Sequence, residues 1–296
     1  MNMNNLKQVS NQIEIIRTGS FDGLGLIVSK PQIKILTYLD DIKYIDKISK
    51  NVSAIITNEE LSKYLNNDIA FAICSNPREI FFKFHNYLAK TDSKYIRSSF
   101  NTEIGKECKI SKYAYISDKN VRIGNRVIIE EFASIKENVT IGDNVVIRSG
   151  SIIGGEGFEY KKYNKIINVT HCGGVIIGND VRIHHNCCID KAVFPWDNTT
   201  IFEGSRIDNG VYVAHGAKIG KRCFITGNVV IGGRTIIGDE TKIGFNVTIS
   251  NGLCIGNKSY IHLGSVVTKD LDQESNVSGN FAIDHKKFID FIRTIR

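Results

Sequence analysis

The chain has 296 residues, a hydrophobic fraction of 42% and a charged fraction of 23%, which are typical of a globular protein. Its formal net charge of +7 is spread out, without a dense basic run and interleaved aromatics, which argues against nucleic-acid binding. The N-terminus is polar and no apolar run reaches about eighteen residues, which argues against a signal peptide and a membrane span. We therefore expect a cytoplasmic protein.

Residues 1–100 show no repeat and are predicted to form a small α/β domain. Stretches rich in β-branched residues predict strands, and Pro77 directly after Asn76 predicts the start of a helix. The predicted strands are 31–38, 52–57 and 68–74, and the predicted helices are 58–65 and 77–89.

Most of the remaining sequence repeats with a period of six. Isoleucine or valine recurs every sixth residue over 104–116, 123–153 and 177–267, the last run being broken only at Pro195. This period is typical of a parallel β-helix in which three hexads complete one coil, so that residues about eighteen apart stack. We assign 101–271 to this β-helix. A tail, 272–296, should end in a short amphipathic helix over 284–296.

Two segments interrupt the repeat. The first, 154–174, contains glycines, aromatics and lysines but no anchor residues, and the second, 191–200, contains Trp196, the single tryptophan. Long excursions from a regular coil are often functional loops, and the aromatic content favours that interpretation.

His215 is the histidine in the most informative setting, two residues after the anchor Val213. The hexad spacing predicts an exposed corner, with Gly233 one coil above and Asp197 about one coil below. Asp208 should lie around the preceding corner, where it is a candidate to orient the imidazole. A histidine held by a carboxylate can take a proton from an attacking amine, and the Gly233 amide could stabilise an oxyanion.

The competing interpretation is that His215 is simply a surface residue of a long repeat. A metal site is not expected, because the adjacent His184 and His185 should diverge and the seven cysteines lack the short-spaced pairs of a zinc site.

The hexads resemble the left-handed β-helix of hexapeptide-repeat acyltransferases, a family that is typically trimeric with sites between subunits. Within that family, segments of this chain are similar to the UDP-3-O-acylglucosamine N-acyltransferase of lipid A synthesis. The similar segments are 150–160 (GSIIGGEGFEY), 189–191 (IDK), 207–209 (IDN) with Ala214-His215, 37–44 in the N-terminal domain, and the helix start Asn76-Pro77.

This resemblance implies roles for individual residues. His215 would be the general base, Asp208 its partner and Gly233 the source of the oxyanion-binding amide, while Tyr38 and Tyr44 would flank a uracil. Further candidates for substrate binding are Asp41, Asp190, Lys191, Asn209, Phe158 and Tyr160. The protein would act as a homotrimer on a UDP-amino sugar and an acyl thioester.

Some residues depart from the pattern of the lipid A enzymes. Gly216 replaces the asparagine after the base, Leu253 stands where a second histidine is usual, and the C-terminal extension is short. We therefore favour N-acylation of a UDP-amino sugar for a surface polysaccharide, with acetyl-CoA or another short acyl-CoA as donor. Lys218, Lys221 and Lys269 could meet the CoA phosphates.

Two alternatives stay open. One is the lipid A enzyme itself, using an acylated carrier protein, and the other is a β-helix scaffold without catalytic activity. The choice between UDP and dTDP also stays open.

Overall fold

The computed structural model describes residues 1–279 and 282–294. These residues form two compact units. The first consists of 1–100, 156–174 and 192–198, and the second contains the rest of the described chain. The units divide the chain differently from the predicted domains, because both interruptions of the hexad repeat belong to the first unit.

The N-terminal part of the first unit is a mixed sheet with helices. Helix α1 (Glu59–Ser62) is capped by Asn58, whose side chain accepts a hydrogen bond from the Leu61 amide, and α2 spans Pro77–Thr91. Short 3-10 helices cover Met3–Gln8 and Ile42–Lys47. The sheet order is β1-β5-β4-β3-β2 with β1 antiparallel, and its strands are β1 (Glu14–Arg17), β2 (Gly23–Leu24), β3 (Ile35–Tyr38), β4 (Val52–Thr57) and β5 (Ala70–Ile73).

The second unit is a three-sided parallel β-helix. Within the described residues its strands form three parallel sheets, named here sheets A, B and C. Sheet A consists of β7 (Lys109–Ile110), β10 (Ile128–Ile129), β13 (Val146–Ile147), β18 (Arg182–Ile183), β21 (Arg206–Ile207), β24 (Phe224–Ile225), β27 (Lys242–Ile243), β30 (Tyr260–Ile261) and β32 (Asn276–Val277).

Sheet B follows sheet A in each coil, and sheet C follows sheet B. Sheet B consists of β8 (Tyr115–Ile116), β11 (Ser134–Ile135), β14 (Ile152–Gly155), β19 (Cys188–Asp190), β22 (Tyr212–Val213), β25 (Val230–Ile231), β28 (Thr248–Ile249) and β31 (Val266–Val267). Sheet C consists of β6 (Glu103–Ile104), β9 (Val121–Ile123), β12 (Val139–Ile141), β17 (Gly174–Ile177), β20 (Asn198–Ile201), β23 (Lys218–Ile219), β26 (Ile236–Ile237) and β29 (Cys254–Ile255).

The hexad anchors fill the interior of this prism. Ile207 pairs with Ile225 and Val213 with Ile231, an offset of eighteen residues per coil. These anchors are buried together with the small residues four positions after an anchor, such as Ala217 and Cys223. Each coil therefore adds the same apolar layer to one continuous core, which explains why the sequence pattern is so strict.

Three corners join the sheets, and two of them matter for the site. The A–B corner includes residues 184–186, 208–210 and 226–228, and the B–C corner includes 214–216, 232–234, 250–252 and 268–270. Both interruptions of the repeat leave the β-helix between a sheet B strand and a sheet C strand, from β14 to β17 and from β19 to β20.

The two interruptions fold within the first unit. The longer one forms an antiparallel hairpin of β15 (Tyr160–Lys162) and β16 (Ile166–Asn168). Its Thr170 carbonyl lies 2.8 Å from Nε2 of His85 on α2, and in the shorter one the Trp196 indole donates to the Leu24 carbonyl at 2.7 Å. Buried side chains from both segments join the core of the first unit.

The C-terminal part extends the β-helix before it forms a helix. Strand β32 pairs with β30, beyond the predicted end of the repeat at residue 271. Helix α3 spans His285–Thr294 with no buried side chain, while Ile295 and Arg296 of the predicted helix lie outside the described residues. In the part of the chain that the structure describes, none of the helices has the length and apolar character needed to span a bilayer.

Candidate active site

His215 lies at the B–C corner, where the hexad spacing places it, but it is buried rather than exposed. Only 7% of its surface is accessible. Its ring lies against the backbone of Gly233 in the next coil, where a β-carbon would come within 2.8 Å of Nε2 and 3.1 Å of Cε1. Gly233 therefore provides the space that the imidazole occupies.

The backbone amide of Gly233 is not directed at open space. It donates to Oδ1 of Asn251 at 2.8 Å, one coil further along the B–C corner. The same arrangement recurs at another corner, where the Lys221 amide donates to Oδ1 of Asp239 at 2.8 Å. The predicted oxyanion-binding amide is thus already engaged by a stacked corner residue, and the contribution of Gly233 is the room it leaves for His215.

Asp190 is a carboxylate that interacts electrostatically with His215. It ends β19, is 3% exposed, and accepts a hydrogen bond from the Tyr212 hydroxyl to Oδ2 at 2.6 Å. Burial raises the pKa of Asp190 above its ordinary value, while the Tyr212 hydrogen bond and the proximity of His215 oppose that rise. The carboxylate of Asp190 is therefore buried and hydrogen-bonded.

Asp208, the predicted partner, lies at a different edge of the prism. It belongs to the A–B corner, where its carboxylate accepts from Nδ2 of Asn209 at 3.0 Å, and among the described residues it makes no hydrogen bond or ion pair with His215. Strand β22 separates the two corners in the chain. The seven residues from Asp208 to His215 thus cross one full side of the prism.

The offset of eighteen residues that predicted Asp197 below His215 does not hold in this part of sheet B. Ile189 pairs with Val213, so this step of sheet B has an offset of 24 residues instead of eighteen. The six additional residues belong to the shorter interruption, and Asp197 is part of the first unit. By this register the residue that corresponds to His215 in the preceding coil is Lys191.

Thr199 ties the backbone near Asp190 to the turn of His215. Its buried hydroxyl donates to the Asp190 carbonyl and accepts from the Gly216 amide at 2.8 Å. One side chain therefore fixes the residue after the histidine relative to the end of β19.

The three lysines expected to meet CoA phosphates lie on different parts of the β-helix. Lys218 is on strand β23 of sheet C, and Lys221 pairs with Oε1 of Glu203 at 3.0 Å at the corner between sheets C and A. Lys269 is exposed at the B–C corner, where the register of sheet B stacks it on Asn251. Lys269 is thus the lysine that shares a corner with His215.

The residues expected to contact uracil belong to the first unit. The Tyr38 ring packs on Phe81 and Phe82 with centroids 5.1 and 6.0 Å apart. Nζ of Lys43 lies 5.0 Å from the centre of the Tyr44 ring, and Asp41 pairs with Lys43 at 2.5 Å. Tyr38 therefore packs against two aromatic rings, whereas Tyr44 contacts a lysine.

The other predicted contact residues are distributed over both units. In the first unit, Phe158 and Tyr160 form a ring pair with centroids 4.8 Å apart, and Phe158 is 84% exposed. In the second unit, the Lys191 amide donates to the Gly155 carbonyl, and Asn209 Oδ1 accepts from the His185 amide at 3.1 Å. Asn209 therefore stabilises the A–B corner.

His184 and His185 diverge as expected, with ring centroids 6.5 Å apart and ring planes at 85°. Among the residues that the structure describes, no group of three or more His, Cys, Asp or Glu side chains is arranged to hold a metal.

Comparison with known proteins identifies the repeat. The family model "Bacterial transferase hexapeptide (six repeats)" matches residues 120–155 and 198–233. Part of the chain therefore matches a hexapeptide-repeat transferase family, and the chain resembles UDP-3-O-acylglucosamine N-acyltransferases. The second of the two matched ranges contains both His215 and Gly233.

Curated relatives carry the name UDP-3-O-acylglucosamine N-acyltransferase. A Legionella pneumophila protein is 45% identical over 93 residues, which cover 31% of this chain and 26% of that protein. A Gloeobacter violaceus protein is 37% identical over 152 residues, covering 51% of this chain and 43% of that protein. A Wolinella succinogenes protein is 30% identical, with 50% and 47% covered. The hexapeptide-repeat protein thus matches about a quarter to half the length of these relatives.

Solved structures support the fold. The UDP-N-acetylglucosamine acyltransferase of Arabidopsis has a TM-score of 0.55 at 22% identity, covering 60% of this chain and 62% of that chain. LpxA from Acinetobacter baumannii has a TM-score of 0.51 at 23% identity, with 66% and 76% covered. The predicted left-handed parallel β-helix with a small α/β part and a short C-terminal helix is confirmed.

Two residues of the hexapeptide-repeat site were missed by sequence reasoning. Thr199 lies inside the shorter interruption of the repeat, and Tyr212 was given no role. A partial signal was present for Tyr212, because it precedes the anchor Val213 and shares the outward face of sheet B with Cys188. Thr199 offered no comparable signal, because the register after the interruption is visible only in the structure.

Proposed function

We propose that the hexapeptide-repeat protein transfers an acyl group from an acyl thioester to the amino group of a UDP-linked amino sugar. The observation that carries this proposal is the buried His215 at the B–C corner, within electrostatic reach of Asp190, on a β-helix similar to UDP-3-O-acylglucosamine N-acyltransferases. A histidine near a carboxylate is suited to general-base catalysis at neutral pH.

The proposed reaction is direct transfer. The sugar nitrogen attacks the thioester carbonyl carbon as His215 removes a proton from that nitrogen. The tetrahedral intermediate then collapses, the carbon–sulfur bond breaks, and the imidazolium returns its proton to the leaving sulfur. Asp190 stabilises the imidazolium through its negative charge, and no covalent enzyme intermediate is required.

For the acceptor, we favour UDP-glucosamine that is 3-O-acylated. The curated relatives are named for this substrate, so the lipid A alternative has more support than a short-chain N-acyltransferase for a surface polysaccharide. For the donor, we retain only the acyl thioester. An acyl-CoA has no support from the relatives, and the positions of Lys218 and Lys221 do not favour a single phosphate site. An acylated carrier protein is the alternative donor.

The test is a mass-spectrometric product assay with UDP-3-O-acylglucosamine and UDP-glucosamine as acceptors, each offered with acyl carrier protein or acyl-CoA thioesters. We expect N-acylation of the 3-O-acylated acceptor and a loss of about 10²-fold or more in turnover for His215→Ala, the usual size of a general-base contribution.

His185→Ala is the matched control, since His185 is exposed at the A–B corner and should leave turnover unchanged. Equal turnover of wild type and His215→Ala would contradict the role of His215, and an absence of product with every pair would favour the scaffold alternative. The expected homotrimer stays a prediction, which analytical ultracentrifugation of the full chain would test.

A further inference from the structure

Tyr212 lies on the outward face of sheet B and reaches back to the preceding coil. Its strand pairs with β19 so that Tyr212 is opposite Cys188, two residues before Asp190. Its hydroxyl donates to Oδ2 of Asp190 at 2.6 Å. Burial and the adjacent carboxylate raise the pKa of Tyr212, so the phenol stays protonated and remains a donor across the whole working range of pH.

The two oxygens of the Asp190 carboxylate are held unequally. Oδ2 receives the phenol hydrogen bond, whereas Oδ1 has the Cys188 thiol at 3.8 Å. Burial raises the pKa of Cys188 to about 11, so this thiol is a protonated and weak donor. The charged and titratable groups that act on Asp190 are thus Tyr212, His215 and Cys188, and Tyr212 is the strongest hydrogen-bond donor among them.

We propose that Tyr212 is a positioning residue, whose phenol orients the buried Asp190 carboxylate so that its charge acts on His215. This inference rests on the proposed function and adds to it a residue that acts through Asp190. Thr199 holds the backbone at Asp190 and at Gly216, next to His215. The side chain of Asp190 can still rotate, and the hydrogen bond from Tyr212 restricts that rotation. A loosely held carboxylate would stabilise the imidazolium less effectively.

The experiment uses the full chain, ¹³C-labelled at aspartate Cγ, and the variant Tyr212→Phe. The Asp190 resonance, assigned by its absence in Asp190→Asn, should titrate at higher pH in Tyr212→Phe, because the carboxylate has lost its strongest neutral donor. Tyr115→Phe is the matched control, since Tyr115 is an exposed tyrosine on the same face of sheet B, and it should leave the Asp190 titration unchanged. An identical titration in Tyr212→Phe and wild type would overturn the proposal.

Kinetics give the second readout. With UDP-3-O-acylglucosamine, Tyr212→Phe should lower kcat roughly tenfold and leave KM within about twofold, because misplacement of a catalytic group mainly affects the chemical step. An unchanged kcat beside a shifted Asp190 titration would overturn the positioning role. If wild type has no transferase activity with any acceptor while the titration shifts, the proposed function fails and the contact of Tyr212 with Asp190 stands.

Discussion

The imidazole of His215 packs against the backbone of Gly233, one coil further along the β-helix. A β-carbon at residue 233 would lie 2.8 Å from Nε2, closer than real β-carbons approach such atoms. The atom it would meet is at the far end of a side chain, so the ring can move while the backbone stays. Adding a single methyl group at residue 233 would therefore change the position of the proposed base.

Gly233→Ala should displace the imidazole without unfolding the β-helix. We expect turnover to fall by about 10²-fold, because small misplacements of a catalytic group cost that much. Thermal unfolding should change little, since overpacking against a movable side chain is relieved by its rotation. A steady-state assay and a circular dichroism melt measure the two effects.

The matched control is Gly227→Ala at the A–B corner. Its β-carbon would come within 3.3 Å of the ring of Phe245, which is exposed and can yield. We expect wild-type turnover from this variant. If Gly233→Ala also kept wild-type turnover, the close packing of His215 and Gly233 would have no catalytic consequence.

Asp190→Asn and Asp208→Asn should separate the two candidate partners of His215. Asp190 interacts electrostatically with the imidazole, whereas Asp208 hydrogen-bonds Asn209 at the A–B corner. Removing the Asp190 charge should lower kcat/KM about tenfold or more, because the imidazolium formed during proton transfer loses its counter-charge. Asp208→Asn should retain nearly full kcat/KM, and the reverse result would restore Asp208 as the partner.

Thr199→Val should destabilise the second unit. The change keeps the shape of the side chain but removes the hydroxyl that bonds the Asp190 carbonyl and the Gly216 amide. Because both groups lose a buried partner, we expect the free energy of unfolding to fall by about 1–3 kcal/mol. Urea unfolding followed by circular dichroism measures it. Thr199→Ser keeps the hydroxyl and should remain close to wild type, so equal losses in both variants would point to packing.

The first unit should lose stability as the pH falls below neutrality. Burial lowers the pKa of His85 from 6.5 to about 4. Between these values the unfolded chain binds a proton that the folded chain does not, so stability present above pH 6.5 is lost as the pH approaches 4. The loss at pH 4 should be about 3 kcal/mol.

The fluorescence of Trp196, which belongs to this unit, can follow urea unfolding at pH 7 and pH 4.5. His85→Gln removes the titrating group and should unfold with a smaller difference between the two pH values. The same pH dependence in His85→Gln and wild type would assign the acid sensitivity to other groups.

The repeat could be read from the sequence because a β-helix is built from local and nearly identical steps. Each anchor such as Ile225 buries the same kind of side chain in the same layer, so the period of six defined the prism, the corner of His215 and the stacking of Gly233 on it. The start of α2 at Pro77 could be predicted for an equally local reason, since its ring fixes a helical φ.

The tertiary structure decided which groups surround His215. The shorter interruption changes one step of sheet B from eighteen residues to 24, which places Asp190 in the coil before the histidine. Burial of the ring, the bond between Asn251 and the Gly233 amide, and the link through Thr199 are contacts between coils. Such contacts depend on how the chain returns after an insertion, and a local period carries no information about that return.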